Sequence, residues 1–159
     1  MAFLTNLLSS DVRLAAPILI AALGLCYSER AGIVNIGAEG IMLIGALAGY
    51  AGSYFLGSAW GGLFVAMAAG MLVGLAFAAL VVSVRANQTV VGAALNIFGS
   101  GITIMLNRVI FGVNNEPPAV ATFPQLTFFG LNRVPYIGPV LFSHNILVYL
   151  ALIVMVVSW

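Results

Sequence analysis

Charge is what this sequence has least of. Nine of its 159 residues are charged, 6% of the chain, while 63% are hydrophobic; a soluble domain carries about 25% charge. A water-soluble globular fold is thereby excluded, and a mean hydropathy of +1.18 marks a protein of the lipid bilayer. The five cationic residues form no cluster and the net charge is +1, so nucleic acid is excluded as a partner, because phosphate binding needs concentrated positive charge. Cysteine is nearly absent. Cys26 stands alone, which rules out an intramolecular disulfide and a thiolate metal site; among Leu23, Leu25 and Tyr27 it reads as a small hydrophobe. No basic residue precedes the apolar positions of the first ten residues, which do not read as a cleavable signal peptide, so insertion is expected to rest on the spans themselves.

What is present is a series of apolar runs separated by short polar punctuation. Leu14–Tyr27 is short for a bilayer, which needs about 20 residues, and either borrows residues from 7–12 or dives in as a re-entrant segment. Pro17 is expected in its first turn, where a missing N–H does least harm. Further runs cover 33–56, 63–84, 89–110 and 145–159. The expected fold is therefore all-α, a polytopic transmembrane bundle of four to five spans, with residues 1–159 forming a single transmembrane domain. Arg85-Ala86-Asn87-Gln88 reads as a polar turn in which Asn87 caps the next helix. Residues 111–142 hold five of the six prolines, which exclude a continuous helix, and with Phe123, Phe128, Phe129 and Tyr136 they predict an extramembrane or interfacial loop.

Charge is also concentrated where it is most costly. Glu29, Arg30 and Glu39 contribute three of the nine charges within one stretch of small and apolar residues that also holds Asn35. Ionisable groups in lipid face protein or water, which makes this stretch a functional-site candidate. Gly32, Gly37 and Gly40 predict a broken or re-entrant helix near 29–40, with Glu29 and Arg30 joining Glu39 in an ion pair that caps the half-helix starting near Ile33. Asn35 and Glu39, four apart, fall on one face of a helix over 33–56. Gly45 and Gly49 form a close-approach pair, as do Gly70 and Gly74 in the third run; both read as helix-packing positions.

The run 89–110 carries a stripe. Gly92, Asn96, Ser100, Thr103 and Asn107 recur at intervals of four, four, three and four, which places small and hydrogen-bonding side chains on one face. Such a stripe serves interhelical hydrogen bonding, or lines the pathway of a polar solute with Asn35 and Glu39 on the facing helix. A hydrolase built on Ser100 and His144 has little to stand on, because Phe98 occupies the place where an intramembrane serine protease needs glycine, and no activated nucleophile is visible. A channel would need rings contributed by an oligomer. No catalytic residue and no metal ligand set is identified.

Two blocks carry a resemblance. Ser28-Glu29-Arg30-Ala31-Gly32-Ile33-Val34-Asn35-Ile36-Gly37-Ala38-Glu39-Gly40-Ile41-Met42-Leu43-Ile44-Gly45-Ala46 resembles the signature of permease subunits of ABC-type importers, in the simple sugar and nucleoside branch related to the ribose and branched-chain amino acid permeases. Ala86-Asn87-Gln88-Thr89-Val90-Val91-Gly92-Ala93-Ala94-Leu95-Asn96 is similar to a second block of that family, in the expected order. The resemblance implies import of a nucleoside or simple sugar, or alternatively a branched-chain amino acid, through a multi-pass protein of the plasma (inner) membrane. It implies three partners: a second permease subunit, an ATP-binding cassette ATPase and an extracytoplasmic substrate-binding protein. No cofactor is expected on this chain, ATP being used by the partner. The family's ATPase docks on a loop beyond the fifth segment, so the 159 residues are expected to be the N-terminal part of a longer permease. If every apolar run spans, Arg30 and Arg85 fall on one side and Arg13, Arg108 and Arg133 on the other, a balance that does not orient the chain.

Overall fold

A computed structural model describes residues 2–112, 118–123, 125–127 and 143–158. Its elements in chain order are α1 (Ala2–Arg30), α2 (Ala38–Leu56), α3 (Ala59–Ala78), α4 (Gln88–Phe111), β1 (Gln125–Thr127), β2 (Ser143–Asn145) and α5 (Ile146–Ser158). Within them Leu7–Arg30, Ala38–Leu56, Ala59–Ser83 and Gln88–Phe111 are each long and apolar enough to cross a bilayer, while Ile146–Ser158 is shorter. The architecture is the all-α transmembrane bundle that the composition predicts.

The first run does borrow residues from its N-terminal side. Pro17 consequently lies well inside α1 rather than in a first turn. Membrane helices tolerate interior proline because neighbouring groups re-satisfy the freed carbonyl. α1 stops at Arg30, and Gly32 follows with φ +80, a left-handed conformation that glycine adopts without a Cβ penalty. The helix resumes only at Ala38, five residues later than a start near Ile33. Asn35 sets the delay: its Oδ1 accepts from the Gly37 N–H at 3.0 Å, a local turn that competes with helix.

Gly57, at φ +61, ends α2 in the left-handed conformation, and α3 starts two residues later. α3 continues into a single π-helical stretch, Ala79–Ser83, and the chain turns at Arg85, the one non-glycine residue with positive φ among the described residues. Asn87 then caps α4 as expected, its side chain accepting from Thr89 N–H at 3.0 Å and Val90 N–H at 3.3 Å.

The chain divides into two compact units, Met1–Cys26 with Phe123–Trp159, and Tyr27–Thr122. In the first, Ala16 packs with Val148 and Ala151, flanked by Val12 and Leu19, and β1 pairs antiparallel with β2, Leu126 opposite His144. This short ribbon lies at the end of a stretch read from its prolines as loop. Pro117, Pro124, Phe128, Phe129, Pro135, Tyr136 and Pro139 lie outside the described residues.

In the second unit α2 and α3 run antiparallel. A Cβ added at Gly49 would lie 3.1 Å from the Ala66 Cβ, and one at Gly62 would lie 2.7 Å from the Gly49 carbonyl oxygen. Gly49 is thus held close to α3, whereas a Cβ at Gly45 would come only to 3.9 Å from the Ala66 carbonyl oxygen. Large apolar side chains point outward instead, Phe64, Ile97 and Val109 among them, as expected where the surrounding solvent is lipid.

Candidate functional site: an interrupted helix stitched to its neighbour

Residues 31–37 leave helical geometry, and their freed backbone groups must be bonded if they lie in apolar surroundings. Local turns bond Ala31, Gly32, Ile33 and Gly37, and α4 supplies the long-range bonds. Gln88 Oε1 accepts from the Val34 N–H at 2.7 Å, and its Nε2 donates to the Gly32 carbonyl at 3.5 Å. Two turns on, Asn96 Oδ1 accepts from the Gly40 N–H at 2.7 Å while its Nδ2 donates to the Ile36 carbonyl at 2.9 Å. Ser28 Oγ closes the near end by donating to the Ile33 carbonyl at 2.8 Å. Two side-chain amides of one helix therefore serve three backbone groups of the interruption and one N–H in the first turn of α2.

Glycine makes the approach possible. A Cβ at Gly99 would stand 2.6 Å from the Gly40 Cα, and one at Gly92 would stand 2.9 Å from the Gly37 nitrogen; one at Gly40 would run into the Leu95 carbonyl oxygen. Gly37, Gly40, Gly92 and Gly99 are all buried. From Gly37 beside Gly92, through Gly40 beside Gly99, to the edge-to-face contact of Tyr50 with Phe111, α2 runs parallel to the second half of α4. The non-helical link runs along its first half. Gln88 and Asn96 are eight residues apart, about 12 Å of helix, so α2 begins well along α4 rather than level with its start.

The stripe on α4 thus divides by partner. Gly92, Asn96 and Gly99 face the interruption. Ser100 turns its hydroxyl onto its own helix, donating to the Ile97 carbonyl at 2.9 Å. Among the described residues Thr103 Oγ1, itself buried, has no hydrogen-bond partner, and the exposed Asn107 has none. Asn35 spends its Oδ1 on Gly37, and Glu39, in the first turn of α2, is exposed. Since Asn35 precedes the helix, it shares no helical face with Glu39. The expected ion pair is not formed: among the described residues Glu29, Arg30 and Glu39 have no salt bridge, and the interruption is held by amides, a serine and glycine contacts. A Cβ added at Gly70 or Gly74 would meet nothing within 4 Å among the described residues. His144 lies outside the residues whose side chains are described.

Gln88 is the functional-site residue that pattern reading missed. It looks like a solvated position at a helix start, and its partners stand 54 and 56 residues away in sequence. Gly99 was missed as well, although its seven-residue spacing from Gly92 put the two on one face.

Four apolar helices, one of them entered through an unwound stretch bonded to its neighbour, define an integral multi-pass membrane protein. The chain belongs to the family described as the branched-chain amino acid transport system permease component, which it matches over residues 7–159. Its members are transport components rather than enzymes. Among curated proteins it is 36% identical, over its whole length, to a candidate glucose ABC transporter permease of Haloferax volcanii, and 38% identical over 91% of its length to a guanosine ABC transporter permease of Bacillus subtilis. A nucleoside ABC transporter permease of Lactococcus lactis is 28% identical, again over 91% of the chain. The chain spans about half of each relative, 48%. No solved structure matches it.

Proposed function

We propose that residues 1–159 act as one transmembrane permease domain of an ABC importer in the plasma membrane, forming part of the pathway for a nucleoside or simple sugar. Hydrolysis of ATP belongs to a separate ATPase subunit, and this chain carries no cofactor of its own. An extracytoplasmic binding protein delivers the solute, and a second permease subunit, homologous or identical, completes the pathway.

The observation that carries this reading is the division of labour among the polar groups. Asn35, Asn96 and Ser100 are committed to backbone partners, whereas Glu39, Thr103 and Asn107 have none among the described residues. A neutral, hydroxyl-rich solute needs donors and acceptors that are free to exchange partners with it. Glu39, Thr103 and Asn107 are therefore the proposed solute contacts. The names of the relatives, for glucose, guanosine and nucleoside transport, support the same class. The family description favours a second reading, a branched-chain amino acid.

The test is uptake of labelled guanosine and labelled glucose by cells lacking the permease gene and by cells carrying the restored full-length gene. Restored uptake of one of them, competed by the unlabelled solute, is the expected result. Competition by leucine instead moves the reading to amino acids, and equal uptake with and without the gene removes it. Glu39→Ala is expected to lower uptake by roughly ten- to a hundredfold with normal membrane insertion; unchanged uptake would take Glu39 out of the pathway.

A further inference from the structure

The two amides that hold the interruption are not equivalent. Asn96 makes two short bonds, at 2.7 and 2.9 Å, and it does so where Gly37, Gly40, Gly92 and Gly99 bring the two backbones into direct contact. Sliding or lifting residues 36–40 would break both bonds and open a gap along the closest approach in the unit. Gln88 makes one short bond, 2.7 Å to Val34, and one at the outer limit of hydrogen bonding, 3.5 Å to Gly32. Little packing supports these: Val34 is 50% exposed, and a Cβ at Gly32 would meet no atom within 4 Å.

We propose that Gln88 is a positioning residue that acts as a releasable latch on residues 32–35, with Asn96 as the fixed pivot beyond it. Gly32 and Ile33 keep their bonds to Glu29 and Ser28 at the end of α1 and move with it, so release from α4 costs little more than the Gln88–Val34 bond, and Gly32, already at φ +80, is the position where the backbone changes direction. The residues beyond the pivot stay with α4. The interruption thus has a hinged half and a clamped half, and the boundary lies between Val34 and Ile36.

The test uses the full-length permease in native membranes, with Cys26→Ala and any cysteine beyond these 159 residues replaced. Single cysteines are introduced as Val34→Cys or Ile36→Cys, and their reaction with a small hydrophilic maleimide is timed. Gln88→Met removes both bonds at similar size, whereas Gln88→Glu keeps the oxygen that accepts from Val34. Gln88→Met is expected to speed labelling of Val34→Cys about five- to tenfold, the effect of losing one net hydrogen bond on a local opening. Gln88→Glu is expected to restore the slow rate, and labelling of Ile36→Cys is expected to stay unchanged throughout. An unchanged Val34→Cys rate in Gln88→Met overturns the latch, as does Gln88→Glu behaving like Gln88→Met. An equal rise at Ile36→Cys overturns the pivot. The labelling needs no solute, so its outcome is independent of the uptake experiment that tests the transport reading.

Discussion

Two rows of small residues, alike on paper, have opposite fates in this molecule. Gly92 and Gly99 on α4 meet Gly37 and Gly40 so closely that no side chain fits between them, while Gly70 and Gly74 on α3 face nothing within 4 Å. The difference lies in what stands opposite. The first row meets a stretch that is itself glycine-rich and that offers unbonded backbone groups to Asn96 and Gln88, so close approach and hydrogen bonding reinforce one another. The second row has no such partner in the described residues. A small-residue row is thus permission for contact, and contact itself needs a complementary surface.

The sharpest way to break this contrast is Gly99→Val. Its Cβ would fall against the Gly40 backbone, which is not the movable end of a side chain, so the crossing must open. Overpacking of this kind costs about 1–3 kcal/mol, and occasionally more. The expected outcome is a large drop in the midpoint of thermal aggregation of the detergent-solubilised full-length permease, with lower yield in the membrane. A midpoint within a degree or two of the parent's would mean that α2 and α4 do not cross here.

Next in size is Asn96→Leu, measured against Ile97→Leu. Leucine at 96 removes the partners of the part-buried Gly40 N–H and the exposed Ile36 carbonyl together; a net hydrogen bond of this kind is worth about 0.5–1.5 kcal/mol, and interhelical bonds in membranes lie in the same range. Ile97 is 74% exposed, and its replacement exchanges one lipid-facing aliphatic for another. Thermal midpoint and uptake are both expected to fall for Asn96→Leu and to hold for Ile97→Leu. Equal behaviour would reduce the amide to one more packing side chain.

Local signals were legible in the sequence, and distant partnerships were not. Asn87 could be read as a cap because its partners, Thr89 and Val90, are its own neighbours. The interruption near 29–40 could be read from glycine and charge. What holds it could not, since the attractive reading, an ion pair of Glu29, Arg30 and Glu39, is made of conspicuous residues, whereas the actual bonds use Ser28, Gln88 and Asn96, which occur in many helices for unrelated reasons. The helical face shared by Asn35 and Glu39 failed on a single local bond, Asn35 to Gly37, which delays the helix. Periodicity placed Asn96, Ser100, Thr103 and Asn107 on one stripe but could not show that Ser100 bonds its own helix or that Thr103 is left unpaired. Pro17 misled in the same way: proline-at-start is a preference, and α1 simply continues past it.

The smallest effect, and the one that most sharpens the contrast, is expected from Gly70→Ala and Gly74→Ala. Alanine in a helix interior is favoured over glycine by about 1 kcal/mol, and neither new methyl would touch any of the described residues. Thermal midpoint should therefore hold or rise slightly in both variants, in direct opposition to Gly99→Val. The uptake measurement separates two states of that row in the full-length permease. If uptake also holds, the row faces lipid, and its four-residue spacing is a consequence of small-residue composition alone. If uptake falls while the midpoint holds, a helix outside the described residues approaches α3 closely at Gly70 and Gly74, and the two rows differ only in what fills them.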